Sequence, residues 1–217
     1  MAWHDERVSD ANGDRADDRL GMILGYRGVH DPSDQSMPDA EMVAPEIVQM
    51  PFWTPGMCAA VIEAAEATGR FEPNPDDPVP GHEVSLALIS PVLFAEFQDD
   101  IGRRAWPALR SFWPLIDYHG LRDAFVIRYR AGEQESLRMH SDIAQVSATI
   151  RLNADHEGAW LHFPRQGFDN RSQPVGSLLA WPSLVTHPHE ATRLESGVKY
   201  GLTVWCDLPS AEVDGYL

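Results

Sequence analysis

Near residue 122 the hydrophobic period of the chain changes from that of a helix to that of a strand, and this change limits the folds open to it. Before the change, Cys58, Val61, Ile62 and Ala65 form a stripe at helical spacing between Thr54-Pro55 and Gly69. A hydroxyl N-cap, a proline in the first turn and a closing glycine mark both ends of a helix. Phe94, Phe97, Ile101, Trp106 and Leu109 keep that spacing over about residues 92–112, with Pro107 placed to kink the helix. After the change, residues 123–130 alternate, with Phe125, Ile127 and Tyr129 on one face. Residues 147–153 alternate with Ser147, Thr149 and Arg151 on one face. Further short strands are expected at 159–163, 176–181 and 199–206, between Gly, Pro and Asn turns. Helices followed by many short strands predict an α+β protein whose carboxyl-terminal half is a sandwich or barrel.

Residues 1–46 hold many Asp, Gly, Ser and Pro and few large apolar groups, so they are expected to form an irregular acidic arm, with residues 20–25 as one packed strand. Residues 47–217 then make up the folded domain, with a strand at 84–89 that follows a loop rich in proline and acid. Two cysteines, Cys58 and Cys206, cannot build a disulfide framework or a thiolate zinc site. No run approaches the roughly 20 apolar residues of a membrane helix. The first residues also lack a basic and then apolar leader, so a reducing cytoplasm is the expected address. Acids outnumber bases 33 to 17, for a net charge of −16. That balance supplies no basic stripe for a phosphate backbone, which argues against nucleic acid as a partner. It can attract a cationic substrate. Arginine accounts for every basic residue but one, and the exception is Lys199.

His140-Ser-Asp142 places an imidazole and a carboxylate two residues apart, where an extended backbone points both the same way. Thr186-His-Pro-His-Glu190 offers a third ligand from either His187 or His189, and spacing does not choose between them. Two histidines and one aspartate on one side of a metal leave positions open for cosubstrate and O₂, as in non-haem Fe(II) oxygenases. Lys199, in Gly197-Val-Lys-Tyr-Gly-Leu-Thr-Val-Trp205, would be costly beside such a site unless an anion met it. The distal carboxylate of 2-oxoglutarate is an anion of that kind. A zinc hydrolase would also accept the three ligands but would give Lys199 no role.

The stretch Phe125-Val-Ile-Arg-Tyr-Arg-Ala-Gly-Glu-Gln-Glu-Ser-Leu-Arg-Met-His-Ser-Asp142 resembles the iron-binding region of the procollagen-lysine hydroxylases. Asp155-His-Glu-Gly158, Phe163-Pro-Arg165, Thr186-His-Pro-His-Glu190 and Gly197-Val-Lys-Tyr200 are similar in the same order, and the resemblance runs from about Pro51 to Pro209. It implies a double-stranded β-helix, a jelly-roll core supported by helices from the amino-terminal half, with Fe(II), 2-oxoglutarate and O₂ as cofactor and cosubstrates. It also implies His140, Asp142 and His189 as metal ligands and Lys199 as the anchor of 2-oxoglutarate. Tyr129 and Thr149 are implied to line the cosubstrate pocket.

Lys199 departs from the arginine of the lysine hydroxylases, Arg151 from a small residue, Trp160 from a glycine, and Gly201 from a residue that often carries a hydroxyl. Arg151 and Trp160 are therefore candidate substrate contacts, and Arg138 is a further candidate. The expected activity is hydroxylation of an amino-acid side chain, first a lysyl or other basic residue in a peptide. The alternatives are hydroxylation of a free amino acid or small natural product, and, from another class, a non-catalytic β-helix protein that binds metal or ligand. The oligomeric state stays open.

Overall fold

The structure, a computed structural model, describes residues 38–73 and 78–208. The strand expected at 20–25 lies outside the described residues. Strand parity builds the rest. In β5 (Leu121–Arg130), Ala124 and Val126 enter a core shared with helices, while Phe125, Ile127 and Tyr129 face the opposite side. In β7 (Val146–Arg151), β11 (Ser177–Pro182) and β13 (Leu194–Cys206) the same rule sends Ile150, Leu178, Leu202 and Val204 to the helices. Each such buried leucine or isoleucine is worth about 1.5–3 kcal/mol relative to exposure.

These strands belong to a nine-stranded antiparallel sheet. Its order is β1 (Glu41–Ala44), β2 (Ile47–Pro51), β11, β7, β13, β5, β4 (His82–Ser85) and β3 (Glu72–Pro73), with β8 (His156–Gly158) paired to the start of β13. A four-stranded sheet faces it, in the order β10 (Phe168–Asp169), β9 (Leu161–Phe163), β12 (His189–Ala191) and β6 (Leu137–His140). The two sheets form the expected double-stranded β-helix, and helices cover the outer face of the larger sheet.

Helix α1 (Pro55–Thr68) has both of its expected ends. Thr54 accepts a hydrogen bond from the Met57 amide, and Gly69 closes the helix at φ 62°. The second helical stretch is α3 (Pro91–Asp100), a π-helical turn (Ile101–Ala105) and α4 (Trp106–Arg110). Trp106 donates to Ile101, five residues back, so the ladder widens just before Pro107, which has no N–H to give.

Three expectations need correction. The run 84–89 is strand only through Ser85. Leu86–Ile89 then forms a short helix, α2, because Ser90 caps α3 at the Leu93 amide and turns the chain away from the sheet. The strand expected at 159–163 begins at Leu161, since Ala159 sits at φ 51° in a turn. Glu41–Ala44, expected within an irregular arm, is a strand that pairs with β2.

Candidate metal and anion site

Between the sheets lies a cavity of about 370 Å³, lined by Phe125, Ile127, Tyr129, Thr149, His140, Asp142, His189 and Lys199 among others. Its first group of side chains comes from the smaller sheet. His140 ends β6 and His189 begins β12, and the register of these strands sets the two residues opposite each other. Asp142 follows two residues after His140 and is held where Leu184 donates its amide to the Asp142 carbonyl at 2.9 Å. Ligand atoms of His140, Asp142 and His189 all lie within 4.8 Å of one another.

The protonation of this group suits a cation. His140 Nδ1 lies 2.8 Å from the Arg138 carbonyl and His189 Nδ1 lies 3.0 Å from the His187 carbonyl. A carbonyl only accepts, so both Nδ1 atoms carry the proton and both Nε2 atoms carry the lone pair. These Nε2 atoms stand 3.5 Å and 3.7 Å from the Asp142 carboxylate oxygens. Burial lowers the pKa of His189, which keeps the imidazole neutral. Burial alone would raise the Asp142 carboxyl, but its polar neighbours His140, His189 and Ser147 outweigh burial and leave it below the ordinary carboxylate value. Asp142 Oδ2 is buried without a hydrogen-bond partner. Two imidazole lone pairs and a buried carboxylate converge on one point, and this donor set fits a divalent first-row metal. The backbone carbonyls behind the imidazoles supply the orienting contacts such sites use.

His187 takes another course. Its Nδ1 meets Thr186 Oγ1 at 2.9 Å and its ring is buried against the Pro45 carbonyl, outside the group. Only its backbone serves the site, through His189.

Lys199 approaches the same cavity from the larger sheet. It pairs with Tyr129 across β13 and β5, and its ammonium lies 5.0 Å from the Tyr129 ring centre. Lys199 is 8 % exposed and donates to the Ala159 carbonyl at 2.5 Å. That carbonyl comes from the left-handed turn at Ala159. The turn is brought close by Gly158 (φ 76°) and Gly197 (φ 76°), where any Cβ would come within 2.2 Å of a facing backbone oxygen. Burial first, and then the neighbouring Arg151 charge, bring the Lys199 ammonium down to about 7. The Tyr129 phenol is pushed up, first by burial and then by the charge of Glu83. Near Lys199, His156 is pushed down to about 4 by burial, with Lys199 and Arg151 adding to the effect. Lys199 and Arg151 concentrate positive charge in this part of the fold, and an arriving anion would relieve it.

The remaining sequence candidates are placed as follows. Thr149 lines the cavity, and so does Gly201, whose missing Cβ would stand 3.4 Å from Thr149 Oγ1. Ser147 meets Ser183 at 2.7 Å. Arg151 is on the same strand face but does not line the cavity. Its guanidinium donates to the carbonyls of Asn153, Arg171 and Gln173 and lies 5.2 Å from the Trp160 ring. Trp160 covers that group and packs on His156, and it too lies outside the cavity lining. Arg138 donates to the Pro78 carbonyl at 2.8 Å and so fastens the cavity mouth, although its side chain does not line the cavity. Sequence reasoning missed Glu83, Arg122, Trp181 and Trp205 in the lining. Trp205 had a signal, since it falls on the strand face of Lys199, Gly201 and Thr203.

No family model matches the chain. It is 27% identical over 175 residues to procollagen-lysine,2-oxoglutarate 5-dioxygenase 1 of Bos taurus, which covers 74% of this chain and 24% of that protein. It is 24% identical over 192 residues to the multifunctional procollagen lysine hydroxylase and glycosyltransferase of Caenorhabditis elegans, covering 81% of this chain and 25% of that one. The chain thus spans about a quarter of the length of the curated relatives it matches. Among solved structures, it superposes on a viral collagen prolyl hydroxylase from Paramecium Bursaria Chlorella virus-1 with a TM-score of 0.58 at 18% identity, covering 76% of this chain and 97% of that one. A Pseudomonas putida prolyl-4-hydroxylase gives a TM-score of 0.53 at 18% identity, covering 76% and 93%. The fold is that of the 2-oxoglutarate- and Fe(II)-dependent oxygenases.

Proposed function

We propose that the chain is an Fe(II)- and 2-oxoglutarate-dependent hydroxylase of an amino-acid side chain, first a lysyl or other basic residue within a peptide. The observation that carries this reading is the presence of both halves of the chemistry in one cavity. A three-ligand metal group stands on one sheet, and a buried single cation stands on the other. Fe(II), 2-oxoglutarate and O₂ supply the oxidising chemistry, in which the cosubstrate leaves as succinate and CO₂ and one oxygen atom enters a substrate C–H bond. His140, Asp142 and His189 would hold the metal. Lys199 would receive the distal carboxylate of the cosubstrate, exchanging or sharing its bond to the Ala159 carbonyl. Tyr129 and Thr149 would wall the cosubstrate pocket and keep water from it, while Phe125, Ile127, Leu137 and Trp205 give the substrate an apolar approach.

The substrate class rests on the similarity to proteins named as lysine hydroxylases and on the commitment of Arg151. An arginine already donating to three backbone carbonyls is not poised to take a substrate carboxylate in a bidentate pair. This favours a peptidyl side chain over a free amino acid. The test is succinate formation from 2-oxoglutarate by the purified chain with Fe(II) under air, compared with Asp142→Ala, with and without lysine-containing peptides. Succinate that depends on Asp142, and a mass gain of one oxygen on the peptide, are expected. Tight metal binding with no succinate under any of these conditions would instead favour a non-catalytic binding protein.

A further inference from the structure

Beside the cavity, a bulky apolar residue is held in a backbone conformation that disfavours it. Leu184 sits at φ 61°. In that region a Cβ crowds the backbone, so glycine or asparagine is the usual occupant. Burial does not offset the strain, since Leu184 is 45% exposed and the following Val185 is 78% exposed. The turn is nevertheless firmly held. Ser183 is buried, its hydroxyl meets Ser147 Oγ at 2.7 Å, and its amide donates to the Gln145 carbonyl at 3.3 Å. The Leu184 amide donates to the Asp142 carbonyl at 2.9 Å. Surrounding structure thus maintains a strained turn that presents two apolar side chains to solvent.

The two amide bonds also lay this turn alongside residues 142–145. Ile143, within that stretch, is 63% exposed and lines the cavity. Ile143, Leu184 and Val185 therefore stand on adjoining loops at the cavity mouth. Exposed apolar residues are ordinary when scattered singly, but a group of them at a cavity mouth marks an interaction surface.

Two exposed arginines border the group. Arg122, which also lines the cavity, donates to the Ile143 carbonyl at 2.6 Å, and Arg165 donates to the Val185 carbonyl at 2.8 Å. A guanidinium has further N–H donors beyond the one used in such a bond. Asp123, next to Arg122 in sequence, is turned to the Ala124 amide at 2.8 Å and the Ser85 hydroxyl at 3.4 Å. Neither arginine forms an ion pair among the described residues. In a chain of net charge −16 this is a local reversal of sign, and it favours an occupant that carries carboxylates. A second copy of so acidic a chain would be repelled as a whole.

We propose that Ile143, Leu184 and Val185 are the docking surface for a polypeptide substrate. They seat a large apolar side chain next to the residue that enters the cavity, while Arg122 and Arg165 meet acidic residues beyond it. This deepens the hydroxylase reading and rests on it for the reaction, but docking needs neither iron nor cosubstrate.

The test uses acetyl-Glu-Leu-Lys-Leu-Glu-amide, whose symmetric sequence serves either chain direction. One control has glycine for both leucines, and another has glutamine for both glutamates. Binding to the metal-free full chain is measured by titration calorimetry or ligand-observed NMR. The wild type is expected to bind the leucine peptide at least tenfold more tightly than the glycine control and several-fold more tightly than the glutamine control. Leu184→Asn with Val185→Ser should lose the leucine preference with no fall in melting temperature, because asparagine tolerates the left-handed turn. Leu184→Met should keep the preference. Arg122→Gln with Arg165→Gln should lose only the glutamate preference, which in the wild type should shrink with added salt. With Fe(II) and 2-oxoglutarate, Leu184→Asn with Val185→Ser should raise KM for the leucine peptide at least tenfold with a much smaller change in kcat. A wild type that does not distinguish the leucine peptide from the glycine control overturns the assignment, as does a leucine preference that survives Leu184→Asn with Val185→Ser. A preference lost only together with a lower melting temperature also overturns it, in favour of a structural role. A dimer that these substitutions dissolve overturns it in favour of a second copy of the chain. Leucine-dependent binding without succinate leaves the docking surface standing and removes the hydroxylase reading, and succinate without the leucine preference does the reverse.

Discussion

A histidine that ligates a metal must present an unprotonated nitrogen, and in both His140 and His189 a backbone carbonyl decides which one it is. His187 has the same residue type and sits two positions away, yet its ring is turned to Thr186 and Pro45. His189→Ala should therefore abolish stoichiometric metal binding, whereas His187→Ala should leave it within a few-fold of wild type. Calorimetric titration with Mn(II) checks this, and the opposite ranking would reassign the ligand. Lys199 supplies a second prediction at this scale. Loss of a buried charge-assisted bond costs about 1.5–3 kcal/mol, so Lys199→Ala should raise the 2-oxoglutarate requirement at least tenfold with metal affinity nearly constant. The sign of the pH dependence follows from the depressed ammonium, brought to about 7 by burial and then by Arg151. The anchor is fully charged below that pH. Above it, cosubstrate binding must take up a proton, and affinity should fall by up to about tenfold per pH unit. Lys199→Arg, whose guanidinium does not deprotonate in this range, should flatten the profile. Proton uptake measured at pH 8 in buffers of different ionisation enthalpy reads this directly.

The elements that carry these residues are stabilised by interactions far from the cavity. Helix α1 begins with the Thr54 cap, and Thr54→Ala should cost about 1 kcal/mol in denaturant unfolding while metal binding per folded molecule stays unchanged. The same helix carries Glu66, which accepts from Arg128 at 2.9 Å and from Arg130 at 3.2 Å, and from the Tyr200 hydroxyl at 2.5 Å. Arg128 and Tyr200 lie on the helix-facing side of β5 and β13, immediately behind Tyr129 and Lys199. Glu66 thus ties α1 to the strands that present Tyr129 and Lys199. Glu66→Ala removes one of the two carboxylate acceptors of the nearly buried Arg128 guanidinium, the other being Glu133, and should destabilise the fold by about 1.5–3 kcal/mol, again without loss of metal binding. Alternation in β5, β7 and β13 was legible in the sequence because their two faces meet different surroundings, the apolar core under the helices on one side and the cavity on the other. Residues 84–89 misled because a short apolar run does not distinguish a strand from a buried helical turn. Ala159 misled because a left-handed turn at a residue other than glycine leaves no mark in the residue type.

For the whole molecule, the choice between His187 and His189 shows where a single chain read in order runs out of information. Spacing placed two histidines near a carboxylate, and only the pairing of β12 with β6, across about 50 residues, sets His189 against His140. Arg151 shows the same limit. Its strand face was foreseen, but its three carbonyl partners come from the loop at 171–173 and from Asn153, which no periodicity reveals. Glu83 was passed over because its strand joins the cavity through a partner that follows the helices in sequence. The claim that joins all scales is that the two sheets together hold one metal and one 2-oxoglutarate. Its most direct measurement is calorimetric titration of the anaerobic chain with Mn(II), followed by 2-oxoglutarate, in wild type, Asp142→Ala and Lys199→Ala. One Mn(II) per chain is expected, with 2-oxoglutarate binding that requires the metal, is lost in Asp142→Ala and is at least tenfold weaker in Lys199→Ala. Metal binding that survives Asp142→Ala, or 2-oxoglutarate binding indifferent to both metal and Lys199, would contradict it.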